Sequence, residues 1–130
     1  MNHSTSVAPS AAFTEKQVEA DGFTIREEMN MYLDLLASVL ESNPDYVVRI
    51  EGHTDDVPIA TSQFPSNWEL SAHRASAVVR FLISRGVEAD RMIAVGMADT
   101  QPKVPHRDDA GNPIVENRDI NRRIVIKIER

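Results

Sequence analysis

Asn67, Ser71 and Arg74 are spaced i, i+4 and i+7, which puts them on one face of a helix if the segment is helical. The start of such a helix carries unpaired N–H groups and partial positive charge. Arg74 adds a planar guanidinium that can grip a carboxylate by two hydrogen bonds. Upstream, Asp55 lies just beyond the apolar run Tyr46-Val47-Val48-Arg49-Ile50 and supplies the opposite charge. A ligand bearing one carboxylate and one ammonium, such as a free amino-acid terminus, satisfies both. Three polar blocks, Glu51 to Asp56, Asn67 to Ala75 and Asn117 to Ile124, each adjoin an apolar segment. That arrangement suggests one site assembled from distant parts of the chain.

Spacing alone leaves plainer readings open. An Asp and an Arg near one another commonly form an ion pair that orders a loop, and Asn67 suits a helix cap. Asn67, Ser71 and Arg74 also suit a solvated face, and Arg122 and Arg123 suit a role bracing the last strand. Asp55, Asp56 and Glu69 offer the paired carboxylates used in glycoside hydrolysis, but no nucleophile–base arrangement accompanies them. His53, Asp55, Asp56 and His73 can be imagined around a metal, yet their spacing matches no compact ligand motif and His73 adjoins the cationic Arg74. The expectation is therefore no metal, no cofactor and no catalysis.

The elements that would position these groups follow from periodicity. Thr24 and Glu27 form a capping-box pattern. Ile25, Met29, Tyr32, Leu33, Leu36, Val39 and Leu40 then make one helical stripe that Asn43-Pro44 ends. Tyr46 to Glu51 alternates like a strand, closed by Gly52. A polar loop from His53 to Ser66 leads to a second helix, from about Asn67 to Arg85-Gly86, with the stripe Trp68, Ala72, Ala75, Val79 and Leu82. Met92 to Met97 predicts a strand, and Ile124, Ile126 and Ile128 alternate with polar or smaller residues in a last one. The strand–helix–strand unit from Tyr46 to Met97 should be parallel and right-handed, so the loop from His53 to Ser66 and a second long one from Ala98 to Asp119 leave the sheet at its carboxyl end. Ligands of open sheets sit at that end, and long loops are often functional.

A chain of 130 residues fits one domain, and 42% apolar with 26% charged residues describes an ordinary globular composition. A net charge of −6 argues against nucleic acid, whose phosphates need a basic surface. The absence of cysteine excludes disulfides, thiol nucleophiles and Cys-ligated zinc. No apolar run is long enough to span a bilayer, and the N-terminus lacks a charged-then-apolar signal pattern. Residues 1–20 read as a polar, Ala/Ser-rich lead-in and residues 21–130 as the domain.

Taken together, Gly52-His53-Thr54-Asp55, the run Asn67-Trp68-Glu69-Leu70-Ser71-Ala72-His73-Arg74-Ala75, Gly86-Val87, Arg91, Gly96 and Asn121-Arg122-Arg123 resemble the OmpA-like peptidoglycan-binding domain. The resemblance implies an α+β fold, a β-α-β-α-β-β core in which a mixed sheet packs on helices. It implies a non-enzymatic binder of the diaminopimelate residue of the wall's stem peptide. Its ligand-gripping aspartate falls on Asp55 and its arginine on Arg74, while its Thr, Asn and Leu fall on Thr54, Asn67 and Leu70. The family's usual first strand has only a weak candidate here, Ser10-Ala11-Ala12-Phe13-Thr14.

The longer loop through Asp56-Val57-Pro58-Ile59 and Phe64-Pro65-Ser66, with Gly96-Met97-Ala98-Asp99, is similar to the B subunit of flagellar motor stators, of the MotB or PomB kind. That likeness implies a periplasmic domain of an inner-membrane protein, a homodimer and a membrane-embedded stator A subunit as partner. An envelope-anchoring domain of an outer-membrane protein or lipoprotein is the alternative, and a cell-wall hydrolase the second.

Overall fold

The computed structural model describes residues 11–14 and 27–129. In chain order these form β1 (Ala11–Thr14), α1 (Glu27–Ser42), β2 (Val47–His53), α2 (Asn67–Ser84), β3 (Met92–Gly96), α3 (Arg118–Asn121) and β4 (Arg123–Glu129), with single 3-10 turns at Ala89–Arg91 and Val115–Asn117. The strands make one mixed sheet in the order β1-β4-β2-β3. β2 and β3 run parallel, as expected for the unit that α2 connects, and β4 is antiparallel to both β1 and β2. The weak first-strand candidate is therefore a strand: Ala11–Thr14 pairs with Arg123–Ile126, inside the stretch read as lead-in.

α1 forms because Met29, Leu33, Leu36 and Leu40 recur at helical spacing, and all four are buried. Val39, expected on the same stripe, is instead exposed, since it falls a step around the helix from the Leu36–Leu40 line. Thr24 and Ile25 lie outside the described residues. The C-terminal end of α1 is closed from a distance. Arg91 donates from Nη1 to the Leu40 carbonyl at 2.8 Å, from Nη2 to that of Asn43 at 2.6 Å and from Nε to that of Tyr46 at 3.1 Å. One guanidinium thus adds a second donor to the Leu40 and Asn43 carbonyls, which also accept the Asn43 and Tyr46 N–H groups, and ties the helix end to the start of β2.

α2 starts on Ser66, whose hydroxyl oxygen accepts from the Trp68 N–H and whose O–H meets the Glu69 carboxylate, a capping box. Asn67 is thus the first helical residue rather than the cap. The helix ends in a Schellman turn. Gly86, at φ 95°, donates to Ile83, and Val87 donates to Leu82. Of the expected stripe Trp68, Ala72, Ala75, Val79 and Leu82, the structure buries Ala75 and Leu82 and packs Val79 against the core, while Ser71, Ala77 and Val78 complete the buried line. Trp68 is 53% exposed. Ser71 is buried because its backbone lies against Gly52 and its hydroxyl accepts the Ala98 N–H beyond β3, contacts that apolar periodicity does not register.

The core lies between the helices and the sheet face built from Val48, Ile50, Met92, Ile124, Ile126 and Ile128. Two glycines bring α2 onto that face. Gly52 and Gly96 are paired in register across β2 and β3. A methyl group on Gly52 would sit 2.1 Å from the Ser71 carbonyl oxygen, and one on Gly96 2.8 Å from that of Trp68. Both obstacles are helix backbone, which cannot step aside.

The other sheet face carries a charge cluster. Glu51 accepts from Arg49 at 2.8 Å, contacts His53 Nε2 at 3.0 Å and is bridged by Lys127 at 3.2 Å. Burial pushes the Glu51 carboxyl up, but these three partners outweigh it and hold it at about 2. Burial likewise holds His53 below its ordinary value, against the pull of Glu51.

Two outcomes are expected. Gly52→Ala forces α2 off the sheet and costs at least about 1–3 kcal/mol, seen as a lowered chemical-denaturation midpoint. Because the folded Glu51 carboxyl lies below the ordinary 4.5, its contribution is present above pH 4.5 and is lost as pH falls through about 2. Thermal melts of Glu51→Gln should therefore show a lower midpoint than the parent at pH 7, the two curves converging towards pH 2.

Candidate functional site

The residues singled out by type and spacing lie where β2, β3 and the first turns of α2 meet. Thr54 and Asp55 directly follow β2 and are both buried. The Thr54 N–H donates to the Ala98 carbonyl at 2.8 Å, which ties the exit of β2 to the exit of β3. Its hydroxyl donates to the Asp55 carbonyl at 2.9 Å. Ala98 holds a left-handed backbone, φ 51°, unusual for a residue with a side chain. It is secured from both sides, since its N–H donates to the buried Ser71 hydroxyl at 3.1 Å, and Ser71 in turn donates to the Trp68 carbonyl.

Asn67 and Arg74 project from the same stripe of α2 as Ser71. The Asn67 amide reaches back ten residues to donate to the Val57 carbonyl at 3.1 Å, holding the loop that carries Asp55 and Asp56. Phe64 is buried, its ring centroid 5.1 Å from that of His73, so the long loop is anchored on the flank of α2. Leu70 and Arg74 are each 8% exposed, so the helix offers an apolar side chain and a mostly covered cation next to one another.

Asp55 and Arg74 do not pair with one another. The Asp55 carboxylate accepts the Val57 N–H on Oδ1 at 2.9 Å and the Arg122 Nη1 on Oδ2 at 2.6 Å. Its neighbour Asp56 accepts from Arg118 Nε at 3.1 Å. Burial raises the Asp56 carboxyl, but the hydrogen bond and charge of Arg118 outweigh it and leave it below its ordinary value. Arg118 and Arg122 are i, i+4, so two adjacent carboxylates meet two arginines from one helical face. Arg122 also holds Asp119 through its second terminal nitrogen.

Between the two arginines, Asn121 is fully buried. Its side-chain oxygen accepts the N–H groups of Lys103 and Val104, and its amide donates to the Val104 carbonyl. It fastens the long loop after β3 to the root of β4. Arg123 does brace the strand, by donating to the Asn121 and Gln101 carbonyls. Arg122, which by sequence suits the same bracing role, instead holds Asp55. The signal was the adjacency Asp55-Asp56 set against basic residues four apart at 118 and 122, which meet only once the loop after β3 is folded back.

The residues that could be imagined around a metal are dispersed. His53 turns to Glu51 on the far sheet face, Asp55 to Arg122, and His73 to Phe64. Among the described residues, no cluster of three or more metal-ligating side chains is present. Glu69 is held below its ordinary value by the Ser66 hydroxyl at the helix start. For Asp56 and Glu69 this direction is opposite to what a general acid needs.

Comparison with known proteins then places this architecture. The chain is 41% identical over 99 residues to the uncharacterized protein YtxE of Bacillus subtilis, covering 75% of this chain and 38% of that one. It is 32% identical over 103 residues to motility protein B of Helicobacter pylori, covering 78% and 38%. It thus spans well under half the length of either relative. The solved structure of the cell wall anchor of the T6SS from Pseudomonas aeruginosa superposes with a TM-score of 0.73 at 28% identity, covering 98% of this chain and 87% of that one. A model of the OmpA family matches residues 19–116, and with these likenesses the chain belongs to the OmpA family.

Proposed function

We propose that this chain is a non-catalytic anchor that holds peptidoglycan by the diaminopimelate residue of its stem peptide. Arg74 receives the carboxylate of the free amino-acid end, and Asp55 receives its ammonium. Thr54 and Asn67 fix the backbone around them, and Leu70 forms the apolar wall. The observation that carries this reading is the meeting of the Thr54-Asp55 exit of β2 with the stripe Asn67–Leu70–Arg74, in a chain of the OmpA family.

Further support comes from the carboxylates. Asp55 and Asp56 are each engaged by an arginine and Glu69 closes a helix cap, so the site is arranged to hold charge and not to transfer protons.

The likeness to motility protein B supports a role as the wall anchor of a flagellar motor stator. In that role the domain works in the periplasm as part of a longer inner-membrane protein, as a homodimer, with a membrane-embedded A subunit as partner. Dimerisation adds avidity to a single shallow site. None of the described helices is long and apolar enough to cross a membrane. The likeness to the T6SS anchor favours a second reading, a wall anchor for another envelope assembly. The two readings differ in partner and share the site.

Co-sedimentation with purified sacculi tests the site. Arg74→Ala and Asp55→Asn should each weaken binding by about tenfold or more, the scale of a lost charge-assisted contact. Circular dichroism melts should show both variants still folded. Sedimentation of either folded variant equal to that of the parent refutes its assigned role.

A further inference from the structure

We propose that Arg122 is an internal occupant of the ammonium seat, which a ligand must displace, so that this side chain sets both the affinity and the charge selectivity of the site. The inference rests on the wall-anchor reading and goes beyond it by assigning a residue that competes with the ligand. Asp55 is 8% exposed, and both of its carboxylate oxygens are engaged. One takes a backbone N–H that no ligand can replace. The other, Oδ2, takes Arg122 Nη1 at 2.6 Å, and it is the oxygen assigned here to an incoming ammonium.

A buried carboxylate stripped of its cation would be strongly unfavourable. The empty site therefore needs a resident partner, and the resident must be able to leave. Arg122 is suited to leaving because its guanidinium already spans two carboxylates. Nη1 holds Asp55 and Nη2 holds Asp119, three residues away in α3, whose side chain is 59% exposed. When a ligand ammonium takes Asp55, Arg122 retains Asp119 and turns outward without losing its last counter-charge. The exchange replaces one cation by another at Asp55, so no uncompensated charge is buried at any stage. A neutral or N-acylated group cannot make this exchange, because it would expel Arg122 and leave Asp55 unpaired.

The neighbouring pair stays in place during the swap. Arg118 holds Asp56 at 3.1 Å, and Asn121 pins the loop after β3. The movement is thus confined to one side chain.

The test measures binding of a stem tripeptide ending in meso-diaminopimelate by calorimetry, using the parent, Arg122→Ala and Asp119→Ala. If the resident state holds about nine-tenths of the molecules, removing Arg122 tightens the apparent affinity about tenfold. Removing the exposed Asp119 takes away the second acceptor, leaves Arg122 on Asp55 and weakens binding. Tighter binding by Arg122→Ala with weaker binding by Asp119→Ala supports the proposal. Weaker or unchanged binding by a folded Arg122→Ala overturns it and makes Arg122 a direct ligand contact or a bystander. Should Arg122→Ala fail to fold, Asp119→Ala decides alone, since its side chain is exposed: unchanged or tighter binding overturns the proposal. Absence of binding by all three proteins sinks the wall-anchor reading together with this one. Absence in the parent with binding by Arg122→Ala supports both.

Discussion

The close approach of the α2 backbone to the sheet is the contact on which the rest of the structure depends. Gly52 and Gly96 stand side by side on β2 and β3, and the carbonyls of Ser71 and Trp68 lie where their side chains would otherwise be. This approach puts the Ser71 hydroxyl within reach of Ala98 and the Asn67 amide within reach of Val57. Those two hydrogen bonds knit both strand exits to one helix. With ordinary side chains at the two glycines, the helix would ride higher and these hydrogen bonds could not both be made.

Charge is organised around the same edge on a consistent plan. Three covered acidic groups are given cationic partners, mostly from distant segments: Arg122 for Asp55, Arg118 for Asp56, and for Glu51 the distant Lys127 together with Arg49 of its own strand. An acidic chain thereby keeps carboxylates in covered positions without neutralising them. The pairs are not equivalent. Glu51 sits on the sheet face away from α2, held by partners on its own and a neighbouring strand, whereas Asp55 sits past the exit of β2 and is held across the loop by Arg122. The same ion-pair chemistry thus recurs on one sheet face and, in the reading proposed above, becomes exchangeable at the edge.

Sequence periodicity made the helices and the parallel β2–α2–β3 unit legible, because burial of one face imposes a repeat that can be read residue by residue. The Schellman end at Gly86 was legible for a similar reason, since a left-handed position favours glycine. The first strand was nearly invisible. Four residues with little apolar pattern become a strand only because β4 offers an unpaired edge. The stripe of α2 was legible at Ala75, Val79 and Leu82, which lie in or against the core, but not at its start, where Trp68 is exposed and the polar Ser71 is buried instead. Within the candidate site, Asp55, Asn67 and Arg74 stood out by charge and spacing. The Asp55–Arg122 pair did not, since its members are 67 residues apart.

What the sequence by itself determined is the local grammar of the longer elements: where α1, α2, β2, β3 and β4 lie, where the helices stop, and which residues carry charge. These properties depend on neighbours within a few residues, and the chain carries that information directly. Only the tertiary structure decided which charges meet. The partner of Asp55 is chosen by the path of the loop after β3, by Asn121 fastening that loop, and by the short α3 turning Arg118 and Arg122 to one side. Such pairing follows from where the chain lies in space, so it is fixed by packing and not by any spacing that can be counted along the sequence.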